Sequence, residues 1–461
     1  MLFNSYVFLF AFLPLALLGW WQLRDVRLRL VFITLMSYVF YCWWDWRFLP
    51  VMLASTLTDY VAGRKIATSA RPGRRKAWLV ASLTINLSML AFFKYYDFAA
   101  GSLNHLARWL VHHDVLPLIA VSLPIGISFY TFNSMSYTID VYRRATPQAP
   151  SPLHFSAFVA LFPHLIAGPI VRYSDIQDQL RVLKPALSSE QAARGVFFLA
   201  MGMAKKVLIA DRLAGFVDAF FATPGGHGLP AAWIGVLGYT LQIYFDFSGY
   251  SDMAVGLAHL LGFQFPQNFN SPYKATNIAD FWRRWHMSLS FWLRDYLFIP
   301  LGGSRRGGLR TALNLTITMF LGGLWHGANW TFVVWGLYHG GLLAGHHVLR
   351  ARGIVPRTIV AARTMTFASV SVGWIFFRCD TLPAAGVLLW SVVGGHGFGL
   401  SEIPVLFVAE VLIGLAIVFA TPNTWEIRLA PRPAYAVALA TMLFLSVLYL
   451  GQESPFLYFQ F

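Results

Sequence analysis

The stretch LGGLWHGANW (residues 321–330) places a histidine, His326, between two apolar runs, 311–326 and 329–348, each long enough to cross most of a lipid bilayer. An ionisable side chain at membrane depth is energetically costly, so its presence by default indicates a function. An imidazole can take up and return a proton near neutral pH, which acyl transfer onto a hydroxyl group requires. The structural alternative is a buried histidine that hydrogen-bonds two helices together.

The overall composition is that of a membrane protein. Of 461 residues, 57% are hydrophobic and 12% are charged, whereas soluble domains carry about 25% charged residues. We therefore predict an all-α, polytopic membrane protein with about 11–12 transmembrane helices plus re-entrant or interfacial helices, in a single domain over residues 1–461. The apolar runs behind this prediction lie near residues 6–22, 30–44, 48–62, 77–93, 117–139, 195–216, 231–261, 311–326, 329–348, 363–378, 403–421 and 434–450.

Basic residues cluster in alternate short loops between the apolar runs, and the formal net charge is +15. By the positive-inside rule these loops face the cytoplasm, which places the N-terminus outside. Orientation and attraction to anionic lipid account for the charge, so we expect membrane lipid, and no nucleic acid, as a partner. The loop residues are Arg24, Arg27, Arg29, Arg64, Lys65, Arg71, Arg74, Arg75, Lys76, Arg143, Arg144, Arg350, Arg352, Arg357 and Arg363.

The cysteines and the N-terminus indicate neither a metal site nor a cleaved signal. Cys42 and Cys379 have no metal-binding spacing, and two free, buried thiols are favoured over a disulfide near the outer face. The opening MLFNSYVFLF (1–10) contains no basic residue, and no small-residue cleavage site follows the apolar run. We expect a retained first span rather than a signal peptide.

Two regions depart from simple membrane spans. Residues 153–170 are apolar but interrupted by Pro163, Pro169 and a glycine, which predicts a broken or re-entrant helix buried in protein or lining a cavity. The segment FWRRWHMSLSFWLRDY (281–296) gathers tryptophans and leucines on one helical face, which predicts one amphipathic helix at the inner membrane surface. His286 lies at the edge of that face, where a solvated or lipid-phosphate-binding histidine is the alternative to a functional one.

Four carboxylates fall inside or at the ends of apolar runs. Asp246 and Asp252, in YFDFSGYSDMAVG (244–256), could line a substrate tunnel, but pairing with Arg or Tyr on neighbouring helices is favoured because buried carboxylates need partners. Asp59 and Glu410 leave open a proton-coupled transporter, although no repeated halves are evident. No GxSxG, Walker, HExxH, GxGxxG or HxxxxD motif supports a serine hydrolase, an ATPase or a soluble acyltransferase.

Several long motifs occur in an order that resembles the membrane-bound O-acyltransferase (MBOAT) family, and in particular its bacterial, alginate-acetylating branch. The resemblance extends along nearly the whole chain and implies the MBOAT fold. The motifs are MLFNSYVFLF (1–10), SLPIGISFYTF (122–132), LIAGPIVRY (165–173), YFDFSGYSDMA (244–254), NFNSPY (268–273), FWRRWHMSL (281–289), IPLGGSR (299–305), LWHGANW (324–330) and FLYFQF (456–461).

The resemblance implies two catalytic histidines. His326, in LWHGA, matches the family's catalytic residue deep in a tunnel that crosses the membrane, and His286, in RWHMS, matches a second histidine nearer the cytoplasmic donor side. Arg283 and Arg284 are added as candidates because guanidinium groups can bind the phosphates of an acyl donor. No metal and no permanently bound cofactor is expected, and acetyl-CoA is the expected acyl-donor substrate.

The implied activity is that of an O-acetyltransferase of the bacterial inner membrane. It would move an acetyl group from a cytoplasmic thioester toward the periplasm to O-acetylate an exopolysaccharide, with alginate the first choice. The acetyl group would pass to a periplasmic acetyltransferase partner or directly to the polymer, within a polysaccharide synthesis and secretion complex. Acetylation of cellulose or peptidoglycan, D-alanyl transfer to teichoic acid from a carrier protein, a transporter or acyl-group channel without chemistry, and a non-catalytic scaffold remain open.

Overall fold

The computed structural model describes residues 1–184, 186–354, 356–399, 403–428, 432–451 and 457, and every regular element within these ranges is helical. The predicted all-α class is confirmed. Two compact units make up the chain: a first unit of Met1–Leu199 with Met253–Pro266, and a second unit of Ala200–Asp252 with Gln267–Phe461. The single transmembrane domain over residues 1–461 stays a prediction.

The first unit contains ten helices among its described residues, the last of which ends just beyond it. Proline stands in the first turn of several, where its missing N–H costs no hydrogen bond. The helices are α1 (Leu13–Gln22), α2 (Val26–Asp45), α3 (Leu49–Thr68), α4 (Pro72–Leu90), α5 (Tyr96–Val111), α6 (Ile127–Arg143), α7 (Pro152–Ala160), α8 (Phe162–Leu165), α9 (Tyr173–Arg181) and α10 (Ser189–Met203), with π-helical turns at Phe8–Phe12 and Ala91–Tyr95 and a 3₁₀ turn at Trp46–Phe48.

The predicted broken helix at residues 153–170 is confirmed. The helices α7 and α8 are separated by Leu161, whose backbone leaves the helical region (φ −51°, ψ 109°). Every residue from 157 to 170 is buried, so the irregular backbone is enclosed by protein as membrane depth requires. His164 is held in place there by contacts of its two ring nitrogens with the carbonyl of Phe158 (2.9 Å) and the side-chain amide of Asn133 (3.3 Å).

The predicted helix over residues 117–139 is wrong in its first part, because α6 begins only at Ile127. The chain between α5 and α6 is not helical, and side chains of the unpredicted helix α5 supply hydrogen bonds to its backbone. The carboxylate of Asp97 accepts from the N–H groups of Ile119 and Val121, both at 2.9 Å, and Asn104 pairs in the same way with residues 115 and 116. Two polar side chains of α5 thus replace the hydrogen bonds that a helix would have made.

Asp59 has a structural environment in the first unit. It lies on α3, is fully buried, and accepts hydrogen bonds from Ser82 (2.6 Å) and Asn86 (2.9 Å) on α4. A buried carboxylate with good donors costs far less free energy than one without them. These bonds tie two helices together, so the residue that suggested a transporter is accounted for as a helix–helix link.

The second unit contains ten further helices among its described residues. Its helix α12 continues to Leu260, where the chain has passed into residues of the first unit. The helices are α11 (Asp211–Ala222), α12 (Leu229–Leu260), α13 (Ile278–Arg284), α14 (Met287–Leu293), α15 (Gly308–His326), α16 (Trp330–Ala351), α17 (Ile359–Arg378), α18 (Leu382–Val392), α19 (Val405–Ala420) and α20 (Pro433–Leu448), with π-helical turns at Ala204–Ala210 and Arg294–Phe298 and a 3₁₀ turn at Pro272–Lys274.

Helices α15 and α16 form a closely packed hairpin that carries the central histidine. Gly323 faces the backbone of α16, where a methyl group would collide with the carbonyl of Phe332. Gly336 faces α15 in return, and a methyl group there would come within 2.5 Å of the carbonyl of Met319. Small residues at a crossing let two helix backbones approach. The glycines of LGGLWHG therefore bring His326 against α16.

Among the described residues, three helical stretches are long and apolar enough to cross a membrane: Val26–Thr68, Pro72–Val111 and Ile359–Arg378. Shorter apolar helices lie at Phe8–Gln22, Leu382–Val392, Val405–Ala420 and Pro433–Leu448. Both cysteines are free thiols, as predicted, although Cys42 is half-buried and only Cys379 is buried. The helix at Leu382–Val392 was not predicted, because its apolar run is short.

Candidate active site

His326 is the last residue of α15 and is only 5% exposed. Aromatic rings surround it, with centroid distances of 5.0 Å to Trp325, 5.1 Å to Trp335 on α16 and 5.2 Å to Phe377 on α17. Asn329 begins the next helix by accepting the N–H of Thr331 at 3.2 Å. The imidazole therefore lies at a tight turn between two helices, in an aromatic enclosure that keeps bulk water away.

His286 lies at a break between two short helices, which corrects the prediction of one continuous amphipathic helix over residues 281–296. Its backbone is left-handed, with φ 42° and ψ 55°, between the end of α13 and the start of α14. A left-handed conformation is uncommon for a residue other than glycine, and where it persists the surrounding contacts impose it. The residue is fully buried, so the solvated alternative is also excluded.

The side chain and backbone of Asn268 impose this break. The backbone carbonyl of Asn268 accepts the N–H of Met287 (2.9 Å), and its side-chain Oδ1 accepts the N–H (3.2 Å) and hydroxyl (2.9 Å) of Ser288. The same Oδ1 is 3.2 Å from Nδ1 of His286. Since a backbone N–H can only donate, Oδ1 is an acceptor, and His286 donates from Nδ1. Nε2 is then the acceptor nitrogen of the neutral ring.

The two predicted histidines are brought together. Their ring centroids are 6.4 Å apart, with the ring planes inclined by 58°. Trp325 contacts both rings, at 6.0 Å from His286 and 5.0 Å from His326. The residues are forty positions apart in the sequence and on different helices. A fragment of substrate a few atoms long can therefore contact both imidazoles.

The two predicted arginines, Arg283 and Arg284, have different surroundings. Arg284 donates from Nε to Asp280 at 2.9 Å, which offsets its charge. Arg283 instead borders a cavity of about 360 Å³ in the second unit, together with Arg294, whose guanidinium is itself paired with Asp295 at 2.7 Å. The rest of this wall is mainly apolar and includes Trp282, Phe291, Leu293, Phe298, Met319 and Leu343. A mostly apolar cavity with guanidinium groups at its edge suits a flexible chain that ends in phosphates.

The cavity lies along the same helix face as His326. Met319 borders the cavity and precedes His326 by seven residues on α15. Two helical turns return to the same face and rise by about 10 Å. Trp282, which also borders the cavity, contacts Trp335 at 5.7 Å, and Trp335 contacts His326. A path of aromatic contacts therefore runs from the cavity to the histidine.

Asp246 and Asp252 have partners, as predicted, but these are lysines rather than Arg or Tyr. The ammonium group of Lys206 is 2.6 Å from Asp246 Oδ1 and 2.7 Å from Asp211 Oδ1, and all three side chains are buried. Lys205 is 2.6 Å from Asp252, which also accepts the hydroxyl of Thr424 at 2.8 Å. Removing one partner of such a pair would leave an uncompensated buried charge, so each pair constrains the segments that carry it. Neither aspartate contacts the histidine pair in the described part of the chain.

Glu410 has a cationic neighbour, and the described residues contain no cluster that could bind a metal ion. Glu410 is 3.9 Å from the Nε of Arg212, which gives this intramembrane carboxylate a cationic neighbour. Within the described ranges, no group of three His, Cys, Asp or Glu side chains is placed to hold a metal ion. The site is thus built from imidazoles, an amide and indole rings.

The sequence did not identify Asn268 and the surrounding tryptophans as site residues. The signals that could have identified them are the motif NFNSPY (268–273) and the tryptophan-rich stretches.

A buried histidine pair in a helical membrane protein offers the proton-transfer chemistry that acyl transfer requires. The chain belongs to the MBOAT, membrane-bound O-acyltransferase family, whose model matches residues 76–366 and so includes both histidines. It is a polytopic membrane protein and an enzyme that transfers acyl groups to oxygen.

Among its relatives is a protein of Azotobacter vinelandii called "Probable alginate O-acetylase AlgI", which is 42% identical over 100% of both chains. A peptidoglycan O-acetyltransferase of Helicobacter pylori is 38% identical over 87% of this chain and 82% of its own. A teichoic acid D-alanyltransferase of Bacillus subtilis is 29% identical over 50% of this chain and 60% of its own. These relatives act on different polymers, so the family alone does not define the substrate.

Proposed function

We propose that this enzyme takes an acetyl group from a cytoplasmic thioester, acetyl-CoA, and moves it across the bacterial inner membrane for O-acetylation of an exopolysaccharide, alginate. The observation that carries the proposal is the buried pair of His286 and His326, with ring centroids 6.4 Å apart. The choice of polymer follows a relative that matches over the full length of both chains and is named as a probable alginate O-acetylase. The immediate acceptor is a periplasmic acetyltransferase partner or the polymer itself, within a synthesis and secretion complex.

The chemistry assigned to His326 is general-base catalysis. Its imidazole takes the proton from the acceptor hydroxyl as that oxygen attacks the thioester carbonyl carbon. The carbon–sulfur bond then breaks, and the thiolate takes the proton back from the imidazolium, so that an ester and a free thiol leave. A positioned base contributes roughly 10²–10⁴-fold to such a rate. The aromatic enclosure of His326 excludes water that would otherwise hydrolyse the thioester.

His286 is assigned a supporting role on the donor side. Its hydrogen bond from Nδ1 to Asn268 fixes the tautomer and the ring orientation, and leaves a lone pair on Nε2 that can accept a hydrogen bond from substrate. We expect His286→Ala to lower kcat by at least about tenfold while the protein still inserts and accumulates. The measurement is acetyl transfer by the purified protein at saturating donor.

The matched control for His286 is Ser288→Ala. This change removes another hydrogen bond to the same oxygen of Asn268 (2.9 Å) but leaves the imidazole in place. Its kcat is expected to stay within about threefold of the wild-type value, since one neutral hydrogen bond contributes only about 1 kcal/mol. A wild-type kcat in His286→Ala would show that this histidine has only a structural role.

The two arginines give a second test, directed at donor binding. Arg283 borders the cavity, whereas Arg284 is paired with Asp280. We expect Arg283→Ala to raise KM for acetyl-CoA by about tenfold with little change in kcat, because a charge-assisted hydrogen bond to phosphate contributes about 1.5–3 kcal/mol. Arg284→Ala is the internal comparison, with an expected rise of less than threefold. A larger effect at Arg284 than at Arg283 would contradict the assignment of the cavity to the donor.

The polymer is tested by replacing the native gene. Expressed in an alginate-producing strain that lacks its own membrane O-acetylase but retains the periplasmic partners, this enzyme is expected to restore acetyl esters on alginate. NMR and mass spectrometry of the purified polymer report the result. If the alginate carries no acetyl esters but peptidoglycan is acetylated, the acceptor polymer is peptidoglycan rather than alginate. D-alanyl esters formed from a carrier protein would favour the chemistry of the Bacillus subtilis relative.

A further inference from the structure

Helix α5 and the chain that returns from it form a hairpin, residues 96–121, that acyl transfer as proposed above does not use. We call it the α5 hairpin. Besides the bonds already described, the hydroxyl of Tyr96 donates to the carbonyl of Pro117 (3.1 Å), and the amide of Asn104 donates to the carbonyl of Leu116 (2.7 Å). Side chains of the helix therefore fix the returning chain along one of its sides.

The helical stretch that contains α5 is too long for a single crossing of the membrane. Pro72–Val111 has 40 residues, which is about 60 Å of helix, whereas the hydrocarbon core of a bilayer is about 30 Å thick. Helix α4 accounts for one crossing, and Phe93, just after it, contacts Phe48 at the start of α3, with ring centroids 6.1 Å apart. By the positive-inside rule the basic residues around the start of α4 are cytoplasmic. The π-helical turn Ala91–Tyr95 then marks the outer end of the span, and α5 follows beyond it.

One face of α5 carries a stripe of apolar side chains that the described protein leaves exposed. At about 100° per residue, its four members fall within about 60° of one another around the helix axis. The three leucines are 49–59% exposed. The buried residues of α5, which include Asn104, lie on a different face. The apolar stripe, as we call this set, consists of Ala99, Leu103, Leu106 and Leu110.

The apolar stripe continues a surface that faces lipid. Most of α4 is exposed, including Val80 and Ile85, as expected of a transmembrane helix at the edge of a bundle. Phe92, in the π-helical turn, is also exposed and lies between that surface and the apolar stripe along the helix. Helices commonly bend at π-helical turns. A bend there places α5 along the membrane surface while its leucines stay among the acyl chains.

The other exposed side of α5 is polar. His105 is exposed, and Arg108 makes an exposed ion pair with Asp114 at 3.3 Å. Trp109, which is 75% exposed, lies between this polar side and the apolar stripe around the helix axis. Indole rings favour the boundary between acyl chains and water. A helix with leucines on one side, polar groups on another and tryptophan between them is typical of the membrane interface.

We propose that the α5 hairpin lies in the outer interface of the bilayer, with the apolar stripe among the acyl chains and His105 and Arg108 facing water. The partner of this surface is a lipid surface. Exposed apolar patches of this kind indicate an interaction, and lipid is favoured over a protein because the apolar stripe is continuous with a surface that the bilayer covers. The inference does not depend on the acyl donor or the acceptor.

Spin labels on single cysteines test the proposal in the full-length protein. Leu103→Cys, Leu106→Cys and Leu110→Cys carry a label on the apolar stripe, and His105→Cys is the matched control on the polar side. Cys42 and Cys379 are first replaced by alanine. The proteins are reconstituted in liposomes of phosphatidylethanolamine and phosphatidylglycerol. Electron paramagnetic resonance then measures how often each label collides with oxygen, which concentrates among acyl chains, and with a water-soluble nickel chelate.

The expected result is a collision rate that favours oxygen at all three stripe positions and favours the nickel chelate at His105. The depths of two labels report the orientation of the helix. Leu103 and Leu110 are seven residues apart, so a helix that stands upright would separate their labels by about 10 Å in depth. A helix that lies in the interface holds both labels at nearly the same depth.

Three results would overturn the proposal. Stripe labels that collide mainly with the nickel chelate would mean that the apolar stripe faces water. Labels shielded from both reagents would mean that protein, such as a second copy of the chain, covers it. A depth difference of about 10 Å would mean that α5 stands upright.

A second measurement on the wild-type protein decides if the labelled variants do not fold. A phospholipid with a photoreactive diazirine in its acyl chain is added to the liposomes, and mass spectrometry locates the adducts after illumination. Adducts on α4 show that the reaction has worked. Adducts are also expected within residues 99–110, and their absence there, with adducts present on α4, would contradict the proposal.

Discussion

His326→Ala is expected to abolish acetyl transfer, with a fall in rate of at least about 10³-fold, while the protein accumulates in the membrane at wild-type levels. The expected size follows from the loss of a general base positioned in a water-poor site. The residue ends α15 and is surrounded by Trp325, Trp335 and Phe377, so removal of the ring leaves the helix itself in place. Release of thiol from acetyl-CoA, together with ester formation on the acceptor, measures the rate.

His326→Gln separates catalysis from structure at the same position. A glutamine side chain can replace the hydrogen bonds of a structural histidine but cannot take up a proton at neutral pH. We expect His326→Gln to be as inactive as His326→Ala, with a thermal unfolding midpoint close to that of the wild-type protein. Wild-type turnover in His326→Gln would show that the histidine only joins helices.

Lys206→Met is expected to produce the largest loss of stability, about 3–5 kcal/mol, because it leaves two carboxylates buried without their cation. Lys206 lies in the π-helical turn Ala204–Ala210 and contacts Asp211 at 2.7 Å and Asp246 at 2.6 Å. Its side chain is 2% exposed, so water cannot screen the change. Thermal unfolding in detergent, followed by tryptophan fluorescence or by retention of the monodisperse peak on size exclusion, measures the effect.

The charge-balanced comparison is the triple variant Lys206→Met, Asp211→Asn, Asp246→Asn. Replacing a whole buried ion-pair group with neutral side chains is often neutral or stabilising, so most of the lost stability should return. Lys205→Met is expected to lower the free energy of unfolding by less than Lys206→Met does. Its partner Asp252 still accepts a hydrogen bond from the hydroxyl of Thr424, and the Lys205 side chain is 13% exposed. Equal stability of Lys206→Met and wild-type protein would mean that the ion pairs contribute nothing.

The main features of the fold could be predicted from hydropathy. The runs at 30–44, 48–62, 329–348 and 363–378 all became helices, because long apolar sequences at membrane depth must satisfy their own backbone hydrogen bonds. The runs do not predict where a polar side chain will replace those bonds. No predicted apolar run covers α5, yet Asp97 and Asn104 lie on this helix and bind the non-helical chain that follows.

Residues of the candidate site could be identified from the sequence, but their arrangement in space could not. His326 is identifiable because an imidazole between two apolar runs is costly. The break at His286 depends on Asn268, which is eighteen positions upstream and contributes both backbone and side-chain acceptors. Helical periodicity cannot detect a competing acceptor from elsewhere in the chain. The same limit applies to Lys206, whose partner Asp246 lies on another helix.

The most direct test is whether an acetyl group supplied on one side of a membrane reaches an acceptor on the other side. The protein is reconstituted in liposomes with alginate oligosaccharide and the periplasmic acetyltransferase enclosed in the lumen, and isotope-labelled acetyl-CoA is added only outside. We predict labelled acetyl esters on the enclosed oligosaccharide, and none with His326→Gln. Ester formation only when donor and acceptor share one compartment, or undiminished ester formation by His326→Gln, would contradict the claim that one imidazole receives its two substrates from opposite faces of the membrane.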